Sequence, residues 1–314
     1  MSIELNQQTR KLLDKKDRDI QDDNRIIAFA KASLYHWQKS HEFQPVNDQR
    51  GEWMISHVYA ILEQGNDALH HAEKCWVLKK ELNLLGFKGS FLVTRSGSGS
   101  MTFDEAEDRP FETIMSGPVA GAEGAGELSR KLGNTNMISA DVGGTSFDTC
   151  LILNGRPQIQ FEGKIVGLPV QSPWVDVRSI GAGGGSIAYL DDGGLIRSGP
   201  QSSGAIPGPA CYEKGGIQPT TTDAAFYLGM LGEGKLASGL QLNKSLAETA
   251  LNSIGKKTNM TAHNVAKGIL KISSANMADA IREITIEQGI DPRELKLLTF
   301  GGAGPLMSNF IAKE

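Results

Sequence analysis

The stretch that most constrains this chain is Ser139-Ala140-Asp141-Val142-Gly143-Gly144-Thr145-Ser146-Phe147-Asp148. An apolar run delivers an acid, two glycines and two hydroxyls into a tight turn. A second apolar run, Thr149-Cys150-Leu151-Ile152-Leu153, leaves it at once. Without a Cβ, glycine lets backbone N–H groups approach a phosphate closely. A hydroxyl can donate to a phosphate oxygen, and a carboxylate can hold Mg2+, usually through water. An ordinary glycine hairpin is the alternative reading, but it leaves the flanking Asp141, Thr145 and Asp148 without a reason. The run therefore predicts strands near 136–141 and 147–153 around a phosphate- and metal-binding turn.

The 314 residues suffice for one large domain or two ordinary ones. A net charge of −4 argues against a nucleic-acid-binding surface. No apolar run of about 18 residues is present, so no membrane span is expected. The start, Met1-Ser2-Ile3-Glu4-Leu5-Asn6-Gln7, is polar and lacks a signal-peptide core. Cys75, Cys150 and Cys211 are odd in number and widely spaced, which suggests reduced thiols in a cytoplasmic protein.

Glycine usage divides the chain. Only Gly51, Gly65 and Gly86 precede residue 87, out of 37 glycines in total. We expect a mainly helical segment over 1–86 and a glycine-rich α/β domain over 87–314. Ile26, Ile27, Phe29, Ala30 and Leu34 fit a helical stripe, as do Met54, Val58, Ile61 and Leu62, and a further helix is expected over 66–85. His57, His70, His71 and Cys75 suggest a metal site only superficially. No carboxylate or second cysteine completes the set, and an amphipathic helix accounts for them.

From Phe87 onward the pattern alternates. Phe91–Thr94 reads as a strand, Thr102 with Glu105 as a capping box, and Ser116-Gly117-Pro118 as the start of a small-residue helix. Residues 156–166 are expected to extend the sheet. Gly181-Ala182-Gly183-Gly184-Gly185-Ser186 follows the charge pair Asp176 and Arg178. Such a run suggests backbone pressed against either a ligand or another chain segment. The loop Ser203–Tyr212 is stiffened by prolines and bent by glycines. Its Cys211 has no histidine nearby to activate it, so a structural thiol is expected. Thr220-Thr221-Thr222-Asp223 reads as a cap for a helix reaching about Leu231, with orientation of a site loop as the alternative role of Asp223. A long amphipathic helix carrying Val265, Ile269, Ile272, Met277, Ile281 and Ile284 precedes another strand–turn–helix, Leu297 to Leu306, whose glycines could accept an adenosine.

Six motifs stand in one order: Ser116-Gly117-Pro118, Asp141 to Asp148, Gly181 to Ala188, Pro207 to Tyr212, Asn276-Met277-Ala278 and Phe300 to Leu306. Together they resemble the hydantoinase A family over about residues 85–314. That family is similar to the first part of ATP-dependent 5-oxoprolinase and to one subunit of acetone and acetophenone carboxylases. The resemblance implies an α/β, actin-like ATPase domain of ribonuclease-H-like fold, with ATP and Mg2+ as cofactors. It implies an ATP-dependent cyclic-amide hydrolase of hydantoin or 5-oxoproline type, which activates a carbonyl by phosphoryl transfer. An acetone- or acetophenone-carboxylase-type subunit and a catalytically silent interaction module are the alternatives. The implied partners are a small carbonyl or cyclic-amide substrate and a hydantoinase B-type second subunit; self-association is possible.

Carried onto this sequence, Asp141, Thr145 and Asp148 are the expected catalytic residues, with Asp141 also the metal ligand. Gly143, Gly144, Ser146, Gly183, Gly184, Gly185, Gly301, Gly302 and Gly304 are the expected nucleotide contacts. Family members usually carry an earlier acid-Gly-Gly-Thr turn on an opposite lobe and further strands after the final glycine turn. Here the single Gly-Gly-Thr is at 143–145. The resemblance therefore implies a fragment lacking the N-terminal lobe and the C-terminal end, inactive by itself if both lobes are needed.

Overall fold

The computed structural model describes residues 9, 20–38 and 84–314, apart from 162, 166–167, 171–172, 233–235 and 237–238. The chain separates into two compact units, Met1–Phe91 and Leu92–Glu314. In the first, helix α1 (Ile20–Gln38) buries Ile26, Ala30 and Leu34, spaced four apart as one helical face requires. Phe87 and Phe91 stack as a tilted pair with centroids 5.0 Å apart. The stripe Met54 to Leu62, the helix expected over 66–85 up to residue 83, and the set His57, His70, His71 and Cys75 lie outside the described residues.

The second unit opens with the hairpin β1 (Leu92–Thr94) and β2 (Ser100–Thr102), followed by α2 (Phe103–Asp108). The expected capping box is present: Glu105 N–H donates to Thr102 Oγ1 (3.2 Å), and Thr102 N–H donates to Glu105 Oε2 (2.8 Å). Helix α3 (Ser116–Leu132) starts at the Ser-Gly-Pro run and stops at Gly133, whose left-handed backbone (φ 69°) returns its N–H to the last turn.

Strands β3 (Met137–Val142) and β4 (Phe147–Leu153) then pair antiparallel, with Asp141 opposite Asp148 and Val142 opposite Phe147. The expected extension over 156–166 is only partly present. β5 (Arg156–Pro157) continues the main sheet beside β4. β6 (Ile159–Gln160) instead pairs with β9 (Trp174–Val175), and β7 (Gly163–Ile165) with β8 (Leu168–Val170), in separate two-stranded ladders. β10 (Val177–Ile180) rejoins the main sheet antiparallel to β4.

A hairpin of β11 (Ser186–Leu190) and β12 (Ile196–Ser202) leads to three helices: α4 (Thr221–Tyr227), α5 (Lys244–Thr258) and α6 (Ala262–Glu287). α4 ends at Tyr227, short of the expected Leu231, because the backbone turns left-handed at Gly229 (φ 77°). β13 (Lys296–Phe300) then lies parallel beside β3, and α7 (Gly304–Ile311) follows its turn.

The main sheet thus has the order β10-β4-β3-β13: an antiparallel meander with a parallel strand added beside its first member. This is the ribonuclease-H-like arrangement that the family resemblance implies. Strand alternation sorts the side chains between the two faces. Ile138, Ala140, Val142, Phe147 and Leu151 join Ile269, Met277, Ile281 and Ile284 of α6 and Met307 of α7 in the main core. The residues between them face α3, where Cys150 meets Val119 and Ala122, and Met137 and Ile152 meet Ala125. Asp141 and Asp148 share that α3 face, at the end of the sheet where β3 and β13 both finish.

Candidate functional site

The carboxyl ends of adjacent parallel strands are where open α/β sheets commonly bind ligands. Here β3 ends in Asp141-Val142 and β13 in Phe300, directly paired with Asp141. Asp141 is half-buried. Its Oδ1 lies where a Cβ on Gly301 would stand, and its Oδ2 is 3.8 Å from the corresponding point on Gly121 of α3. The same point on Gly121 is 3.0 Å from the Phe300 ring, so a glycine lets α3 close down beside the carboxylate.

Asp148 sits across the ladder from Asp141. Its Oδ2 accepts from Ser146 Oγ (3.0 Å), while its buried Oδ1 has no partner among the described residues. Like charges directly opposite on one sheet face repel. Burial first, and the charge of Asp148 second, raise the Asp141 pKa above the ordinary aspartate value. Among the described residues no lysine or arginine forms an ion pair with either carboxylate. Two carboxylates, one with an orphaned oxygen, suit a divalent cation completed by water or phosphate oxygens. No third His, Cys, Asp or Glu completes an all-protein metal cage among the described residues.

The intervening turn is closed by Gly143 N–H donating to Ser146 O (3.0 Å). Gly144 and Thr145 form its exposed tip, and their N–H groups have no partner among the described residues. Among the described residues, nothing beyond its own chain neighbours lies within 4 Å of where a Cβ on Gly144 would stand, and Gly143 meets only Ser146 O at 3.5 Å.

The glycines expected to touch nucleotide divide into two kinds. A Cβ on Gly183 would stand 2.8 Å from Gly143 O, Gly144 C and Thr145 N. One on Gly184 would meet Thr222 Oγ1 at 2.8 Å, and one on Gly185 would meet Gly144 O at 2.9 Å. Their N–H groups are spent on protein: Gly183 on Ser186 Oγ (2.8 Å), Gly184 on Gly143 O (3.0 Å) and Gly185 on Gly144 O (2.6 Å). Of the two causes open for this run, close approach to another chain segment accounts for it, and that segment is the turn itself. Gly301 is likewise held by the chain, with φ 83° and Val142 O 2.6 Å from the Cβ position. Gly302, by contrast, has nothing within 4 Å, and Gly304 makes only ordinary contacts as it opens α7. The Ser146 hydroxyl is engaged by Asp148 rather than free at the tip.

The other expected pieces also have definite places. Arg178 Nε donates to Asp176 Oδ1 (3.0 Å) and ties β10 to Glu283 and Glu287 of α6. Cys211 is buried, and burial followed by the nearby Asp223 charge raises its pKa, so it is no nucleophile. A cavity of about 700 Å3 lies away from the turn, at the opening end of β13, lined by Ile281, Ile286, Leu295, Leu297 and Ile311 among others. The sequence places Thr222 in a helix cap and Ser203 in a stiff loop, and reveals neither residue's contact with the 183–185 run. The one available signal for Thr222 was a run of three threonines before Asp223, more hydroxyls than a helix cap needs.

The family model described as Hydantoinase/oxoprolinase matches residues 71–314. The chain belongs to the hydantoinase/oxoprolinase family. The alpha subunit of caprolactamase from Pseudomonas jessenii is 38% identical over 66% of this chain and 30% of its own length. The gamma subunit of acetophenone carboxylase from Aromatoleum aromaticum is 37% identical over 72% of this chain and 31% of its own. The crystal structure of ATP-dependent caprolactamase from the same Pseudomonas superposes with a TM-score of 0.66 and 27% identity, covering 91% of this chain and 46% of that one. The chain spans about a third of the length of the curated relatives it matches. No described helix is long and apolar enough to cross a membrane.

Proposed function

We propose that this chain carries one phosphate-binding half of an ATP site in an ATP-dependent cyclic-amide hydrolase. The observation that carries the reading is the open tip of the 143–146 turn. Two N–H groups without a partner among the described residues, and a glycine that no described chain contact explains, stand beside a carboxylate pair at the shared end of β3 and β13. In this reading the Gly144 and Thr145 N–H groups and the Thr145 hydroxyl bind phosphate oxygens, Gly143 keeps the turn closed, and Gly302 lies against the nucleoside. Asp141 and Asp148 would hold Mg2+, through water at least in part. The ion, when bound, neutralises the charge spread over a transferring phosphoryl group. The residues of this chain position and screen; phosphoryl transfer to a carbonyl oxygen activates the substrate for attack.

The relatives named as subunits support a second chain as partner, which in this reading is of hydantoinase B type. The 37% identity to an acetophenone carboxylase subunit keeps a ketone-carboxylating enzyme as the second reading. The test is MgATP binding and hydrolysis by the purified protein, alone and with its partner, with a lactam or hydantoin in one arm and a ketone plus bicarbonate in the other. Lactam-dependent release of phosphate that disappears in Asp141→Ala is the expected result. Ketone-dependent release supports the second reading, and absence of MgATP binding refutes both.

A further inference from the structure

The turn's two outward-facing donors are aimed by a buried lattice behind it. In a trans peptide the C=O and the following N–H point in opposite directions. The carbonyls of Gly143 and Gly144 are gripped by Gly184 N–H (3.0 Å) and Gly185 N–H (2.6 Å). That fixes the Gly144 and Thr145 N–H groups on the far side of the same two peptide planes. Gly184 and Gly185 are gripped in turn. The carbonyl of Gly184 accepts from both the backbone N–H (2.7 Å) and the hydroxyl (2.8 Å) of Thr222. The carbonyl of Gly185 accepts from both the N–H (2.8 Å) and the hydroxyl (3.2 Å) of Ser203.

Both grips trace to one fully buried carboxylate. Asp223 accepts from Thr220 N–H (2.9 Å) and Thr220 Oγ1 (2.7 Å), which is helix capping. It also accepts from Ala210 N–H (3.1 Å) and Cys211 N–H (2.7 Å), which fasten the loop beginning at Ser203. Capping needs only the first pair; the second links the two arms of the lattice.

We propose that Thr222 and Ser203 are positioning residues that orient the Gly144 and Thr145 N–H groups toward phosphate, with Asp223 as their common anchor. The inference rests on the phosphate-binding reading of the turn. It is tested by Thr222→Val, which keeps the shape and deletes the hydroxyl, by Thr222→Ser, which restores it, and by Ser203→Ala as the same deletion on the other arm.

Hydrogen exchange of the nucleotide-free protein reads the lattice. Thr222→Val should speed exchange at Gly184 and Gly185 about fivefold or more relative to α5 and α6, as expected for loss of one buried hydrogen bond. Thr222→Ser should return it to the wild-type rate. MgATP titration reads the consequence: Kd should rise about tenfold in Thr222→Val and in Ser203→Ala, and stay within about twofold in Thr222→Ser. Unchanged exchange at Gly184 and Gly185 overturns the positioning role, whatever the nucleotide result. A Thr222→Ser Kd as weak as that of Thr222→Val also overturns it. Wild-type protein that binds no MgATP while the exchange rates respond removes the phosphate-binding reading and leaves the lattice a purely structural one.

Discussion

Gly183→Ala and Gly144→Ala are the same chemical change, and they should fail in opposite ways. At Gly183 the added methyl would sit 2.8 Å from three backbone atoms of the turn, Gly143 O, Gly144 C and Thr145 N. Backbone cannot rotate aside as a flexible side chain can. Overpacking of this kind costs about 1–3 kcal/mol. Forcing the turn outward also weakens the Gly184–Gly143 and Gly185–Gly144 hydrogen bonds, each worth about 1 kcal/mol. A total of about 3 kcal/mol lowers Tm by roughly 6–12 °C for a unit of this size. At Gly144 the methyl meets nothing among the described residues beyond its own chain neighbours, and the backbone is outside the left-handed region, so stability should stay within about 0.5 kcal/mol of wild type. MgATP affinity should nevertheless fall about tenfold or more, because the methyl stands where phosphate must approach. Thermal unfolding followed by circular dichroism and calorimetric titration with MgATP measure the two effects. A Gly183→Ala protein with wild-type Tm, or a Gly144→Ala protein that loses several degrees, would refute the division of the glycines into two kinds.

Three other outcomes follow from the same geometry. Asp141→Asn should stabilise the nucleotide-free protein near neutral pH by about 0.2–1 kcal/mol, since it removes a like-charge cross-strand pair, while abolishing Mg-dependent turnover. The sign follows from the raised pKa of Asp141: its favourable contribution is complete below the ordinary carboxylate range and is lost as pH rises through the raised value. Urea titrations across that range should accordingly show a steeper loss of stability in wild type than in Asp141→Asn. Gly301→Ala should destabilise by about 2–4 kcal/mol in urea unfolding, through its left-handed backbone and the clash with Asp141 and Val142, whereas Gly302→Ala should unfold as wild type and bind ATP less tightly. Cys150, fully buried with its pKa pushed up to about 12, and Cys211 should both resist iodoacetamide at pH 8 until denaturant is added; mass spectrometry of native protein showing either one alkylated would contradict their burial.

What could be read from the sequence was what neighbouring residues decide. The Asp141 to Asp148 hairpin, the Thr102–Glu105 capping box, the Thr220–Asp223 cap and the strand–turn–helix at 297–306 are set by residues within a few positions of one another. The long α6 announces itself by apolar spacing. The missed features depend on partners far along the chain. β6 leaves the main sheet because its partner is β9, and nothing within 156–166 encodes that choice. The run Gly183–Gly185 looks the same in sequence whether it faces a ligand or the turn 40 residues earlier; only the direction of each missing Cβ separates the cases. Thr222 is legible as a cap residue, but its hydroxyl acts on Gly184, 38 positions away. At Asp223 the two roles weighed against each other, capping and holding a loop, are carried by the same carboxylate.

The most direct measurement of the central idea is an amide NMR titration of the intact protein with MgATP. The Gly144 and Thr145 N–H resonances should shift strongly and saturably, together with Gly302, and the response at Gly144 and Thr145 should vanish in Asp141→Asn. Saturable MgATP binding that leaves Gly144 and Thr145 unmoved, or no binding at all, would contradict the assignment of this turn to phosphate.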